Sequence, residues 1–176
     1  MKTIQKLITI CVLFISLSAF SQNSDDIKIL NDATNAKGEL LKADVGLNDF
    51  FEKSIGYVIF PNVGKGAFII GAASGNGVVY KTGVPIGLAD LKKINIGLQV
   101  GGQAVTEIIF FETNDALDDF MSGNFEFSAE VSAIALKSGV AANAKFKNGV
   151  AVFVLPKAGL MVEGSIGGQK FTFHPF

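Results

Sequence analysis

A strict alternation of apolar and polar residues runs through the middle of the chain. From Ile94 to Gly101 every second residue is isoleucine, leucine or valine, and the positions between them are asparagine, glycine, glutamine and glycine. A period of two predicts a β-strand with one buried face. Glycine weakens a strand, so its repeated use predicts curvature, which we expect to be greatest at Gly97 and Gly101.

A helical period precedes this segment. From Ile27 to Phe50 apolar residues recur every three or four positions, which predicts an amphipathic helix that Gly46 breaks before a short turn ending at Lys53. The apolar stripe along this helix has two interpretations: a core face packed on a sheet, or a lipid-contacting face that includes Leu30 and Leu40. Lysines and carboxylates alternate on the polar face, which favours packing.

Short apolar runs separated by turn residues fill the rest of the chain. Ser74–Gly77 has the composition of a hairpin turn, Leu88–Lys93 suits a short helical turn, and Thr113 or Asn114 caps a short helix. The pattern predicts an α+β, mainly β fold, with a curved antiparallel sheet or barrel-like core of about eight to ten strands. Besides the alternation from Ile94, strands are expected at 55–60 (ending at Pro61), 67–73, 78–81, 125–135, 140–146, 150–155, 160–166 and 170–173.

The N-terminus has the features of an export signal. Lys2 and Lys6 precede an apolar run from Leu7 to Leu17, and the small residues of Ala19-Phe20-Ser21 follow it. The run is shorter than the roughly 20 apolar residues that span a bilayer. We expect residues 1–21 to be cleaved and the protein to be periplasmic or associated with the outer envelope. Residues 22–54 form a helical arm and residues 55–176 a β-rich part of the same domain.

Reactive side chains are scarce. Cys11 lies in the apolar run, so cleavage leaves no cysteine for disulfides, thiol chemistry or metal binding. His174 is three residues from the end and is read as a solvated tail residue. Without a second histidine we predict no metal site, no cofactor and no catalytic residue. The missing general acid–base residues therefore argue against an enzyme such as a hydrolase.

The net charge of the chain limits the classes of binding partner. The chain has 15 lysines and 16 carboxylate side chains. Two of the lysines lie in residues 1–21, so the remainder carries a net charge of about −3. This argues against nucleic acid and against simple adsorption to an anionic membrane, which both need a basic surface.

One turn nevertheless suits an anion. In Gly64-Lys65-Gly66, flexible backbone amides lie beside an ammonium group, an arrangement that can hold a phosphate headgroup. Lys157, in a second lysine–glycine turn, is its counterpart. Ordinary solvent-exposed lysines are the alternative reading. With Ile27, Leu30 and Leu40 of the helix, these residues are the candidate lipid-binding set.

Several of these segments, in order, resemble the SYLF domain, also called the Ysc84-type domain. The resemblance rests on Gly56-Tyr57-Val58-Ile59-Phe60-Pro61 with Gly64-Lys65-Gly66, on Gly97-Leu98-Gln99-Val100-Gly101-Gly102-Gln103, and on Glu107-Ile108-Ile109-Phe110-Phe111, Ala116-Leu117 with Phe120, and Gly159-Leu160-Met161. It extends from about Leu40 to Phe173.

The resemblance implies a non-enzymatic lipid-binding module. Eukaryotic relatives bind phosphoinositides, and some bind and bundle actin. Their basic amphipathic segment is replaced here by an arm of mixed charge. An exported bacterial protein does not ordinarily meet phosphoinositides or actin. What transfers is contact with a phospholipid or another amphiphile, for which a membrane surface is one source. The second reading is a structural or protein-interaction protein of the envelope. The sequence leaves the oligomeric state open.

Overall fold

The computed structural model describes residues 22–65, 72–94, 104–123, 125, 127, 131–157 and 168–176. Within them lie helices α1 (Gln22–Ala43), α2 (Leu47–Lys53) and α3 (Asn114–Met121) and a short 3-10 helix (Ala141–Asn143). The strands are β1 (Gly56–Lys65), β2 (Ala72–Lys81), β3 (Val84–Ile94), β4 (Val105–Phe111), β5 (Ala133–Ala135), β6 (Val150–Pro156) and β7 (Gln169–Pro175).

The described strands form one open sheet in the order β5-β6-β4-β1-β2-β3-β7. Neighbours pair antiparallel, except that the three-residue β5 runs parallel to β6. Within the described residues, the share in strands (43%) exceeds the share in helices (32%). The predicted mainly-β α+β class is confirmed.

The sheet is strongly curved. Strands β4 and β7 are four positions apart in the order, which in a flat sheet is about 19 Å, farther than two side chains reach. Yet Gln169 Nε2 of β7 donates a hydrogen bond of 3.1 Å to Glu107 Oε2 of β4. The ring centroids of Phe60 and Phe171, in β1 and β7, lie 5.9 Å apart. The predicted curvature is confirmed, whereas its placement at Gly97 and Gly101 falls outside the described residues.

Curvature gives the sheet a concave interior and an outer face, and each buries its own apolar cluster. Period-two alternation sends Ile109 and Phe111 of β4 to the interior, while Ile108 and Phe110 face outward. Helix α3 closes one end of the interior with Leu117. Its start follows the prediction, since the Thr113 hydroxyl accepts a hydrogen bond from the Ala116 amide.

Helices α1 and α2 cover part of the outer face. Ala33, Ala36 and Leu40 are buried there, so the predicted apolar stripe is a core face. Lys37 lies along the same face, with its Nζ 4.3 Å from the Phe51 ring centroid. Desolvation by burial lowers the pKa of Lys37. Among the described residues, no helix is both apolar enough and long enough to cross a membrane.

The predicted break at Gly46 is confirmed, and a buried carboxylate organises it. Asp44 is 3% exposed and accepts hydrogen bonds from the amides of Gly46 (2.9 Å) and Ala141 (2.8 Å). Burial raises the pKa of Asp44, but backbone hydrogen bonds, that from Ala141 foremost, outweigh it, so the net pKa is lowered. This contact fixes the 3-10 helix, and the strand predicted at 140–146 is therefore wrong.

Pro61 does not end the first strand. Strand β1 continues to Lys65 because its register shifts between Phe60 and Val63, so Pro61 lies at an irregularity where the ladder needs no amide hydrogen. The Pro61 carbonyl accepts a hydrogen bond from the buried Thr106 hydroxyl at 3.1 Å. A proline inside a central strand is tolerated here because of that shift.

Two further turn predictions are wrong for a packing reason. Ser74–Gly77 lies within β2, where glycine permits close approach: a Cβ on Gly77 would come within 2.6 Å of the Ile59 carbonyl oxygen. Residues 88–93 form part of β3, which pairs with β2 on one side and with β7 on the other. Local composition favours turns at both places, and long-range pairing overrides it.

The remaining predicted strands differ in outcome. Strands at 150–155 and 170–173 are confirmed as β6 and the longer β7. Of the alternation at 125–135, strand β5 covers only its last three residues. The segments 67–71, 95–103 and 160–166 lie outside the described residues.

Candidate functional site

Six strands begin or end together at one end of the sheet. Strands β1, β3 and β6 finish there, at Lys65, Ile94 and Pro156, and β2, β4 and β7 begin there. Backbone pairing therefore places five lysines within two residues of the strand termini at this end of the sheet. We call it the lysine end, and its lysines are Lys65, Lys92, Lys93, Lys157 and Lys170.

Three of these lysines share the outer face. Alternation with interior residues directs Lys92 and Lys170 outward, and alternation with the outward Leu155 does the same for Lys157. All three are exposed. A single cross-strand row joins them, the lysine row: Lys157, Ala104, Gly64, Ser74, Lys92 and Lys170.

The register along this row is direct. Gly64 lies opposite Ser74, Ser74 opposite Lys92, and Lys92 opposite Lys170. On the other side, the Lys157 amide donates a 3.1 Å hydrogen bond to the Ala104 carbonyl. Five strand spacings separate the two ends of the row, about 24 Å along the sheet. The small residues Ala104, Gly64 and Ser74 occupy its centre.

One carboxylate beside the row is already hydrogen-bonded. Asp90 precedes Lys92 by two residues on the same outward face. One of its oxygens accepts a 2.6 Å hydrogen bond from Asn76 Nδ2, and the other lies 3.1 Å from His174 Nε2. His174 is thus part of β7 and not a frayed tail residue, although its side chain is 55% exposed.

The opposite end has a different character. Among the residues that the structure describes, exposed carboxylates outnumber exposed lysines there: Asp49, Glu52, Glu112, Asp115, Asp118 and Asp119 lie at this end with Lys53, Lys145 and Lys147. The described residues line an open pocket of about 400 Å³ at this end, with Phe50 and Phe146 in its wall. Lys53 is bonded to Asp49 at 3.1 Å. We call this the acidic end.

Comparison with known proteins covers mainly the second half of the chain. Residues 92–174 match the family model Ysc84, described as "Las17-binding protein actin regulator". This segment of the chain is similar to the Ysc84 family. The resemblance stated from the sequence is confirmed.

A curated relative matches over a longer stretch. The chain is 29% identical over 125 residues to "Beta cell expansion factor A" of Aeromonas veronii. The match covers 69% of this chain and 46% of that protein, so the chain spans less than half the length of the relative.

The Ysc84 region contains most of the lysine row. Lys92, Lys157 and Lys170 lie in the matched segment, whereas Gly64 and the helices α1 and α2 precede it. Of the candidate set, Gly64 and Lys157 are brought to the same row, two strands apart. Lys65 ends β1 beside them, and Gly66 lies outside the described residues.

The helical candidates are not brought to this row. Leu40 is fully buried on the outer face, and Leu30 is half-buried against the same cluster. Ile27, 49% exposed, is the solvent-accessible member of the three. Contact between lipid and Leu40 requires α1 to leave the sheet, so lipid binding by the helix stays a prediction.

Sequence reasoning missed Lys92 and Lys170. The signal was present: polar residues alternate with interior ones from Ala89 to Lys92 and again from Lys170 to Phe173. Reading 88–93 as a helical turn concealed the first alternation. Their direct pairing depends on the β3–β7 register, which no local pattern specifies.

The Ysc84 region also holds a buried polar pair. Glu107 (2% exposed) and Gln169 (4% exposed) meet in the interior beside the lysine end. Their bond joins β4 to β7 across the concave face and so holds the sheet in its curved form. Within the described residues, no group of three or more histidine, cysteine or carboxylate side chains has the arrangement of a metal site.

Proposed function

We propose that this protein is a non-catalytic lipid-binding module of the bacterial cell envelope, which contacts phospholipid headgroups through the lysine row. The observation that carries the proposal is the collection of exposed lysines from β3, β6 and β7 on one face of one sheet end. The match of residues 92–174 to the Ysc84 family model supports a lipid-binding or protein-interaction module.

Local charge explains how an acidic chain can meet an anionic surface. At physiological salt the field of exposed charges is screened over about 8–10 Å. A headgroup at the lysine row is therefore influenced by the lysines there more than by the carboxylates of the acidic end. Each lysine near an anionic membrane contributes about 1 kcal/mol of attraction.

Export belongs to the same proposal. Cleavage after Ser21 would deliver the described fold to the envelope, where phospholipid surfaces are the abundant anionic partner. Purification of the protein from an exporting bacterial host, with its N-terminus identified by intact mass, tests that step. Cleavage in that host would also remove the apolar run of residues 1–21, which would otherwise bind lipid non-specifically.

Vesicle flotation tests the function. We expect the exported protein to float with vesicles containing phosphatidylglycerol and less with pure phosphatidylcholine vesicles. High salt should weaken binding to the phosphatidylglycerol vesicles. Native mass spectrometry of the same preparation reports any copurified lipid. Failure to bind either vesicle at low salt would contradict the proposal.

Protein interaction is the second candidate, because the description of the matched family names the binding of a protein. The open pocket at the acidic end offers a surface for it, with Phe50 and Phe146 in its wall. A pull-down with envelope extract, repeated with a Phe146→Asp variant, tests this alternative. Loss of one defined partner in the variant, together with no flotation, would favour protein interaction over lipid binding.

A further inference from the structure

We propose that Lys92 and Lys170 together bind one phosphate group. The inference rests on the proposed function only for the source of that phosphate, a lipid headgroup. The pair itself follows from the pairing of β3 with β7, and it is a narrower claim than the contact of the whole lysine row with a membrane.

The β3–β7 register places the two lysines directly beside each other. Lys92 and Lys170 are direct cross-strand partners. Direct partners in an antiparallel pair have Cβ atoms about 4.5–5.5 Å apart, so two flexible lysine side chains can converge on one anion. Ser74 lies opposite Lys92 on the next strand and is exposed, which adds a hydroxyl donor to the same row.

Within the described residues, no carboxylate bonds to either lysine of this pair. Like charges directly opposite each other destabilise a sheet. Asp90, the carboxylate next to them on the outer face, is engaged by Asn76 and His174. Among the described residues no ion pair involves Lys92 or Lys170. An anion between the two ammonium groups removes their repulsion.

Protection of the sheet edge does not account for both lysines. Lysine on an edge strand discourages pairing with another chain. Strand β7 is last in the order of the described sheet, so this reason applies to Lys170. Lys92 lies on β3, which has β2 and β7 on its two sides, and there the reason fails. Charge complementarity with a phosphate applies to both.

A neutral double variant tests the pair against a matched control. Lys92→Gln with Lys170→Gln removes two charges at the lysine end, and Lys53→Gln with Lys145→Gln removes two at the acidic end. All four side chains are exposed, so both variants are expected to fold as the wild type does. Lys92→Arg with Lys170→Arg keeps the charge and should retain binding.

Two probes separate phosphate from lipid. Amide chemical shifts are followed during titration with inorganic phosphate at constant ionic strength, with chloride as the reference. We expect saturable shifts at Ser74, Lys92 and Lys170 that the Lys92/Lys170 variant loses. Affinity for phosphatidylglycerol vesicles should fall about 25-fold in that variant, about fivefold per lysine, and should stay near the wild-type value in the control.

Each outcome is decisive. Wild-type vesicle binding that the Lys92/Lys170 variant retains would overturn the pair and leave the lipid-binding function standing. Phosphate shifts without vesicle binding would keep the pair and overturn lipid as the source. Equal losses in the variant and the control would show that net charge, and no particular pair, governs binding.

Discussion

The two ends of the curved sheet differ in charge and in the contacts that hold them together. At the lysine end, lysines gather on the outer face, and a hydrogen bond between Glu107 and Gln169 crosses the interior. At the acidic end, exposed carboxylates surround an aromatic cluster in which Phe50 contacts other rings at 4.9–5.5 Å. A buried polar pair holds the strands together at the lysine end, and apolar packing holds the acidic end together.

The difference shows why net charge alone describes this chain poorly. A net charge near −3 argued against an anionic surface, yet antiparallel strands bring distant lysines to one end. The field that a headgroup meets is set within about 10 Å. A chain with a small net negative charge therefore has, in the part that the structure describes, two sheet ends of opposite charge.

The largest effect on stability is expected when a buried phenylalanine side chain at the acidic end is replaced by alanine. Phe50 is 6% exposed, so Phe50→Ala should lower the free energy of unfolding by about 3–5 kcal/mol, the usual cost of removing a buried ring. Urea denaturation measures it, with Ile27→Ala on the exposed part of α1 as the control. A loss no greater than that of the control would show that the aromatic cluster does not hold this end.

Asp44 gives the next effect and adds a pH dependence. Asp44→Asn should cost about 1–3 kcal/mol near neutral pH, because buried amides lose a charged acceptor. The native pKa lies below that of an unfolded aspartate, so the unfolded state binds more protons between the two values. Wild-type stability from this group is therefore full above about pH 4 and is lost as pH falls through the native pKa.

The Asn variant should show a smaller loss of stability across that acid window. Urea denaturation at several pH values measures the slope, and Asp118→Asn, at an exposed position on α3, serves as the control. Parallel pH profiles for wild type and Asp44→Asn would contradict the assignment.

Closure at the lysine end is tested by Gln169→Leu. The variant keeps the side-chain volume but removes the donor to Glu107, which should cost about 1–3 kcal/mol. Hydrogen exchange should report faster opening of β7 before global unfolding. Thr172→Val on the outer face of the same strand is the control. Unchanged exchange in β7 would show that other contacts hold the sheet closed.

The smallest effect is expected from a single lysine at the far side of the row. Lys157→Gln should weaken binding to phosphatidylglycerol vesicles by about fivefold, because one lysine near an anionic surface contributes about 1 kcal/mol. Lys145→Gln at the acidic end should have little effect. Flotation at several salt concentrations measures both, and equal losses would remove the distinction between the two ends.

The sequence predicted the mainly-β class, the broken helix with its apolar stripe, the cap of α3 and the Ysc84 resemblance. These follow from local periods, capping residues and ordered motifs, which act within a few residues of each other. It failed where pairing overrides composition: Pro61 is accepted at a register shift, and Ser74–Gly77 is held straight by close approach to β1.

Sequence by itself therefore determined what kind of domain this is, because hydrophobic period and turn residues are local properties. It also supplied two members of the lysine row, Gly64 and Lys157, on the strength of turn chemistry. Only the tertiary structure decided which side chains share a surface. Cross-strand neighbours are set by register, and a shift of β7 by one residue would send Lys170 to the interior, away from Lys92.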